Sequence, residues 1–124
     1  MNDIVYPDEA YSIIGRSFEV YNNLGPGFLE IVYKDALEKE LTAHGIPYSR
    51  EQEFNVHYKG DQLRHKFYAD FTAFEKIIVE VKAVESLNEI FYAQCINYLK
   101  VSGYRLALLI NFGQPSLVYK RFVL

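Results

Sequence analysis

The sequence predicts a mixed β-sheet flanked by helices, an α/β fold bordering on α+β. Three observations carry that expectation. Up to Gly45 the apolar residues fall at helical spacing. From Ile46 the period shortens toward the alternation of strands. Between Ile77 and Asn111 an apolar strand, a helix and a second apolar strand follow one another, the pattern of a right-handed crossover joining parallel strands. With 124 residues the chain has room for one core, so residues 1–124 are read as a single domain.

Each element has a local reason. Residues 8–22 read as a helix, with Ile13, Ile14 and Phe18 on one face and Asp8 as N-cap. Asn22-Asn23-Leu24-Gly25-Pro26-Gly27 stops it. A second helix is expected from Phe28 to His44, closed by Gly45 with Pro47 shortly after. Phe54, Val56 and Tyr58 alternate with polar residues, Lys59-Gly60-Asp61-Gln62 makes a hairpin turn, and residues 63–74 return as the next strand. Glu75-Lys76 is read as a tight turn into a third strand, residues 77–83. Residues 89–102 form a third helix ended by Gly103. Residues 104–111 are apolar almost throughout, as in a strand buried on both faces, and residues 116–122 make the last strand. The order is α-α-β-β-β-α-β-β.

Composition narrows the function. Half the residues are apolar and 23% are charged, which is neither disordered nor collagen-like. Cys95 is the one cysteine, excluding an internal disulfide and a Cys-built zinc site. The longest apolar run, Leu106 to Ile110, is too short to span a bilayer, and Met1-Asn2-Asp3-Ile4 carries acid where a secretory leader needs base. A soluble cytoplasmic protein without a membrane partner is expected. The net charge of −3 argues against a protein that passively coats DNA. It does not argue against an enzyme on phosphate esters, because carboxylates that hold a divalent metal count as negative charge.

Asp70, Glu80 and Lys82 are the first candidate site. Glu80 and Lys82, two apart on one strand, project from the same face. With the turn centred near Glu75, Asp70 on the neighbouring strand falls opposite Glu80. Facing carboxylates repel, and a cation between them removes the conflict. Oxygen-only ligation suits Mg²⁺ or Mn²⁺. Lys82 would then stand beside the metal, able to orient a water or offset charge on a phosphate. A Glu-x-Lys pair by itself equally fits a solvated strand face; its place in the most apolar stretch of the strand singles it out.

Gln94 and Tyr98 lie four apart on the third helix, on one face, where an amide and a phenol can contact a phosphate or base or serve as ordinary polar contacts. Glu30, in the first turn of the second helix, lies beside Tyr33, Leu37 and Leu41 on the helical wheel; it either meets the positive helix end or reaches inward as a further metal ligand. His44, His57 and His65 lack metal-ligand spacing, Cys95 is read as packing, and nucleotide-binding glycine motifs are absent. Lys59, Arg64, His65 and Lys66 form a basic cluster around one hairpin, suited to a solvated edge or a phosphate backbone.

Together these residues resemble the PD-(D/E)XK nuclease superfamily, whose signature is an Asp on one strand and (D/E)-x-K on the next, here Asp70 and Glu80-Val81-Lys82. Ala69 stands where the superfamily's name has Pro, a residue that shapes backbone and does not ligate metal. Gln94-x-x-x-Tyr98 resembles an element of the RecB-like branch. Gly27-Phe28-Leu29-Glu30-Ile31-Val32-Tyr33 is similar to the motif of the small bacterial GxxExxY proteins, as are Ile13-Ile14-Gly15, Leu24-Gly25-Pro26-Gly27 and Leu109-Ile110-Asn111-Phe112-Gly113. The resemblance implies a restriction-endonuclease-like sheet and a Mg²⁺- or Mn²⁺-dependent nuclease with DNA as the expected nucleic acid. It also implies a metal held by Asp70, Glu80, the Val81 carbonyl and Glu30, with Lys82 catalytic and Gln94 and Tyr98 orienting lysine or substrate. A non-catalytic nucleic-acid-binding or regulatory domain on the same fold is the alternative, and RNA the alternative substrate. The acidic balance makes a homodimer or a partner protein the expected means of gripping DNA.

Overall fold

The computed structural model describes residues 4–124. The reading of Met1-Asn2-Asp3 as incompatible with a leader lies outside the described residues. The elements are α1 (Pro7–Leu24), α2 (Glu30–Ala43), β1 (Tyr48–Tyr58), β2 (Asp61–Ala73), β3 (Ile77–Lys82), α3 (Glu89–Ser102), β4 (Leu106–Asn111) and β5 (Val118–Val123). They form one mixed sheet in sequence order β1-β2-β3-β4-β5 with three helices, an α+β arrangement in the expected element order. The β3–β4 pair is parallel, bridged by α3, and the other neighbours are antiparallel. No helix among the described residues is long and apolar enough to cross a membrane.

Two apolar layers sandwich the sheet. Ile77, Val79 and Val81 of β3 and Leu106, Leu108 and Ile110 of β4 pack with Ile13, Val20, Tyr33 and Leu37 of α1 and α2. Ile78, Ala107 and Leu109 pack with Cys95 and Leu99 of α3 on the other side. Alternation along β3 and β4 thus separates the two cores, and β4 is buried along its whole length. Cys95 is fully buried, and burial pushes its thiol up to about 12, consistent with a packing role.

Several boundaries differ from the sequence reading. Asp8 does not cap α1: Tyr6 is the N-cap, Pro7 fills the first helical position and Asp8 lies in the first turn, where the helix dipole favours acid. Phe18 is not core; Ser17 takes the buried position, its hydroxyl donating to the Ile13 carbonyl, while Phe18 meets Tyr119 edge-on. The second helix begins at Glu30 rather than Phe28, because Leu29 is still extended. β1 begins at Tyr48, six residues before Phe54 makes it legible, since its first half is largely polar. The β2–β3 turn is Phe74–Lys76, with Phe74 and Glu75 both in the left-handed region without glycine or asparagine.

Candidate metal and phosphate site

The site forms where the β2–β3 ladder gives way to side chains. Backbone pairing runs through Ala73↔Ile77, Thr72↔Ile78 and Phe71↔Val79, and the same register carries Asp70 opposite Glu80. There, the Asp70 N–H points at Glu80 Oε1 at 3.4 Å and the Val81 N–H donates to Asp70 Oδ2 at 2.8 Å. Both carboxylates are largely buried. Burial, and then the Asp70 charge, hold Glu80 well above the usual carboxylate range.

The sheet also changes face here. Strict alternation puts Ala69 and Phe71 on one side, yet Ala69 packs with the α3 core and Phe71 with the α1–α2 core. The exchange falls at Asp70. On β1, the pairs Arg50↔Phe71 and Gln52↔Ala69 bracket Glu51, which takes a φ of 56°. Glu51, Asp70 and Glu80 therefore stand in one row across three strands.

Asp70, Glu80, Lys82, Gln94 and Tyr98 line one open cleft of about 660 Å³ together with Phe67, Ile90, Ala93 and Asn97. The α3 helix supplies one wall. Asn88 caps it by accepting the Ile90 N–H, Gly103 ends it at φ 76°, and Cys95 and Leu99 turn inward so that Gln94 and Tyr98 face the cleft. Gln94 is exposed. The Tyr98 hydroxyl donates to the Tyr68 carbonyl at 2.7 Å, tying α3 to β2; burial first, then Glu80 and Asp70, raise its pKa. The Lys82 ammonium lies 5.2 Å from the centre of the Phe91 ring.

Glu30 approaches from the other helical layer. Gly25 and Gly27 take φ of 67° and 113°, and the loop they allow is pinned by Tyr33, whose hydroxyl donates to the Gly25 carbonyl and accepts the Phe28 N–H. Tyr33 stacks on Phe112 at 4.7 Å. Glu30 is thus set at the start of α2, its pKa raised by burial and by Asp70 while Lys82 and Lys34 oppose the shift. Among the described residues no three His, Cys, Asp or Glu side chains are close enough to share a metal ion.

Two residues of the site escape the sequence reading. Lys34, buried among the core residues of α2, places its ammonium 2.9 Å from Asp70 Oδ1 and 2.7 Å from Glu51 Oε1. Burial alone would lower its pKa, but the two carboxylates outweigh that and raise it. A lysine four residues after Glu30, inside the apolar stripe, is the available signal for Lys34; Glu51 has none until the register is known. The basic cluster near Gly60 stays on the exposed hairpin, away from the cleft lining.

An acid on one strand facing Glu-x-Lys on the next, on a mixed sheet between helices, defines a nuclease fold. A model of the PD-(D/E)XK nuclease superfamily matches residues 7–122, and the chain belongs to that superfamily. A solved structure of a protein named SSO0001 is similar in fold, with a TM-score of 0.62 and 19% identity over 76% of this chain. The chain spans about half of that protein, 50% of its length. No curated protein matches.

Proposed function

We propose that the protein is a metal-dependent nuclease that hydrolyses phosphodiester bonds, with DNA as its substrate, acting in the cytoplasm. The observation that carries this reading is the pairing of Asp70 with Glu80 beside Lys82 at the floor of one cleft. The donor set fits a hard divalent cation: the ligands are oxygens, and burial beside Asp70 opposes ionisation of Glu80 unless a cation offsets the charge. Asp70, Glu80 and the Val81 carbonyl would hold Mg²⁺ or Mn²⁺, with Glu30, which does not stand close enough to share the ion directly, reaching it through water. Such an ion supplies a lowered water pKa and counter-charge for the phosphate.

The chain's own residues supply the rest. Lys82 orients the attacking water and offsets negative charge that grows on the phosphate during attack. Phe91 beneath its ammonium limits where that charge can sit. Gln94 offers an amide to the substrate, and Tyr98 keeps the wall in place through Tyr68. The matching Gly27, Glu30 and Tyr33 support closer kinship with the bacterial GxxExxY proteins, and Gln94 with Tyr98 supports the RecB-like branch. A net charge of −3 favours a second copy or a partner protein for gripping DNA.

One observation favours a second reading, a non-catalytic nucleic-acid-binding or regulatory domain: Lys34 already neutralises Asp70. Purified protein on labelled single- and double-stranded DNA and RNA, with Mg²⁺, Mn²⁺ or EDTA, separates the two. Cleavage that needs the metal supports the nuclease; binding without cleavage supports the alternative, and cleavage of RNA alone changes the substrate.

A further inference from the structure

We propose that Lys34 is a built-in counter-ion for the acidic site: its ammonium occupies Asp70 in the absence of a divalent ion, and Glu51 is the carboxylate to which it withdraws when one binds. The proposal rests on the metal-site reading above and adds a residue that sets how tightly the metal is held.

Geometry supports the displacement. Asp70 Oδ2 accepts the Val81 N–H and Oδ1 carries the Lys34 ammonium at 2.9 Å, so a divalent ion drawn to Oδ1 meets the lysine there. An ammonium and a divalent ion repel strongly at such a distance, so both cannot use that oxygen at full strength. Lys34 cannot simply retreat to water, because its side chain is only 9% exposed, and a buried unpaired ammonium is costly. Glu51 answers that need. It bonds the same ammonium at 2.7 Å, on the side away from β3, and its side chain is 50% exposed and free to follow the lysine. It also holds a left-handed backbone conformation inside a strand, unfavourable for glutamate, at the position facing Asp70.

The test is calorimetric Mn²⁺ titration with thermal melts in EDTA and in Mn²⁺, on the full chain and on Lys34→Met and Glu51→Gln. Lys34→Met is expected to bind Mn²⁺ about tenfold more tightly or better, since a cation is removed from beside the cation site. It should melt below the parent in EDTA, its carboxylates left unbalanced, and recover when Mn²⁺ is added. Glu51→Gln should bind several-fold more weakly, because the ammonium is then left on Asp70 alone. Equal Mn²⁺ affinity in parent and Lys34→Met, or a Lys34→Met chain that stays unfolded in saturating Mn²⁺, makes the lysine purely structural and overturns the proposal. Unchanged or tighter binding in Glu51→Gln overturns the withdrawal. A parent that binds no Mn²⁺ overturns the metal-site reading itself, and the proposal with it.

Discussion

Asp70 accepts the main-chain N–H of Val81 through Oδ2 at 2.8 Å, so a side chain takes the place of a ladder bond between β2 and β3. One carboxylate thereby closes the sheet on one side, pairs with Lys34 on another and faces Glu80 on a third. Structure and chemistry meet at the same two oxygens.

This makes the two acidic residues unequal. Repulsion alone suggests that neutralising either one relieves the fold. Asp70, however, is the partner of a buried lysine, whereas burial and the Asp70 charge push Glu80 toward its neutral form, which an amide imitates. Glu80→Gln is expected to melt at or above the parent in EDTA. Asp70→Asn should lose at least about 1–3 kcal/mol, the cost of leaving a buried polar group unsatisfied, which is larger for a charged one. Denaturant unfolding of both variants in EDTA checks the asymmetry; equal loss in both contradicts it.

Stability should also depend on pH through Glu80. Its folded pKa is raised above the ordinary value of 4.5, so the folded state binds more protons than the unfolded state above that pH. The contribution is fully present below pH 4.5 and is lost as pH rises toward the folded value. Urea unfolding in EDTA from mildly acidic to alkaline pH should show the parent weakening along this range and Glu80→Gln weakening less. Identical slopes would mean that Glu80 ionises without penalty.

Gly113→Ala tests the clamp behind Lys82. A Cβ at Gly113 would collide with the backbone of Val84 and Ala83, directly after Lys82 in the chain. Asn111 fastens the same segment, accepting the Val84 N–H and donating to the Val84 carbonyl. The substitution is expected to cost about 1–3 kcal/mol, as overpacking does, and to lower any cleavage beyond what lost folded protein explains. Melts with active-site titration measure both; unchanged stability shows that the segment yields freely.

The sequence reveals what is local and what one turn away propagates. The turn near Glu75 is enough to bring Asp70 opposite Glu80, and Gly103 enough to end α3. Helical spacing misplaces Phe18 because it cannot tell a buried Ser17, satisfied by its own helix, from a polar surface residue. Lys34 and Glu51 go unread for a different reason. A lysine in an apolar stripe becomes a site residue only when strands distant in sequence bring two carboxylates to it.

In the proposed nuclease, Lys82 works on the phosphate rather than on the fold or the metal. Lys82→Ala removes a cation beside the proposed metal, so Mg²⁺ affinity should be equal or improved. It also removes charge stabilisation needed only during attack, so cleavage should fall by about two orders of magnitude or more. The direct measurement pairs calorimetric Mg²⁺ titration with cleavage of labelled DNA by parent and variant. Retained metal binding with cleavage lost is the expected result; cleavage that survives in Lys82→Ala, or a parent that binds DNA and Mg²⁺ without cutting, would contradict it.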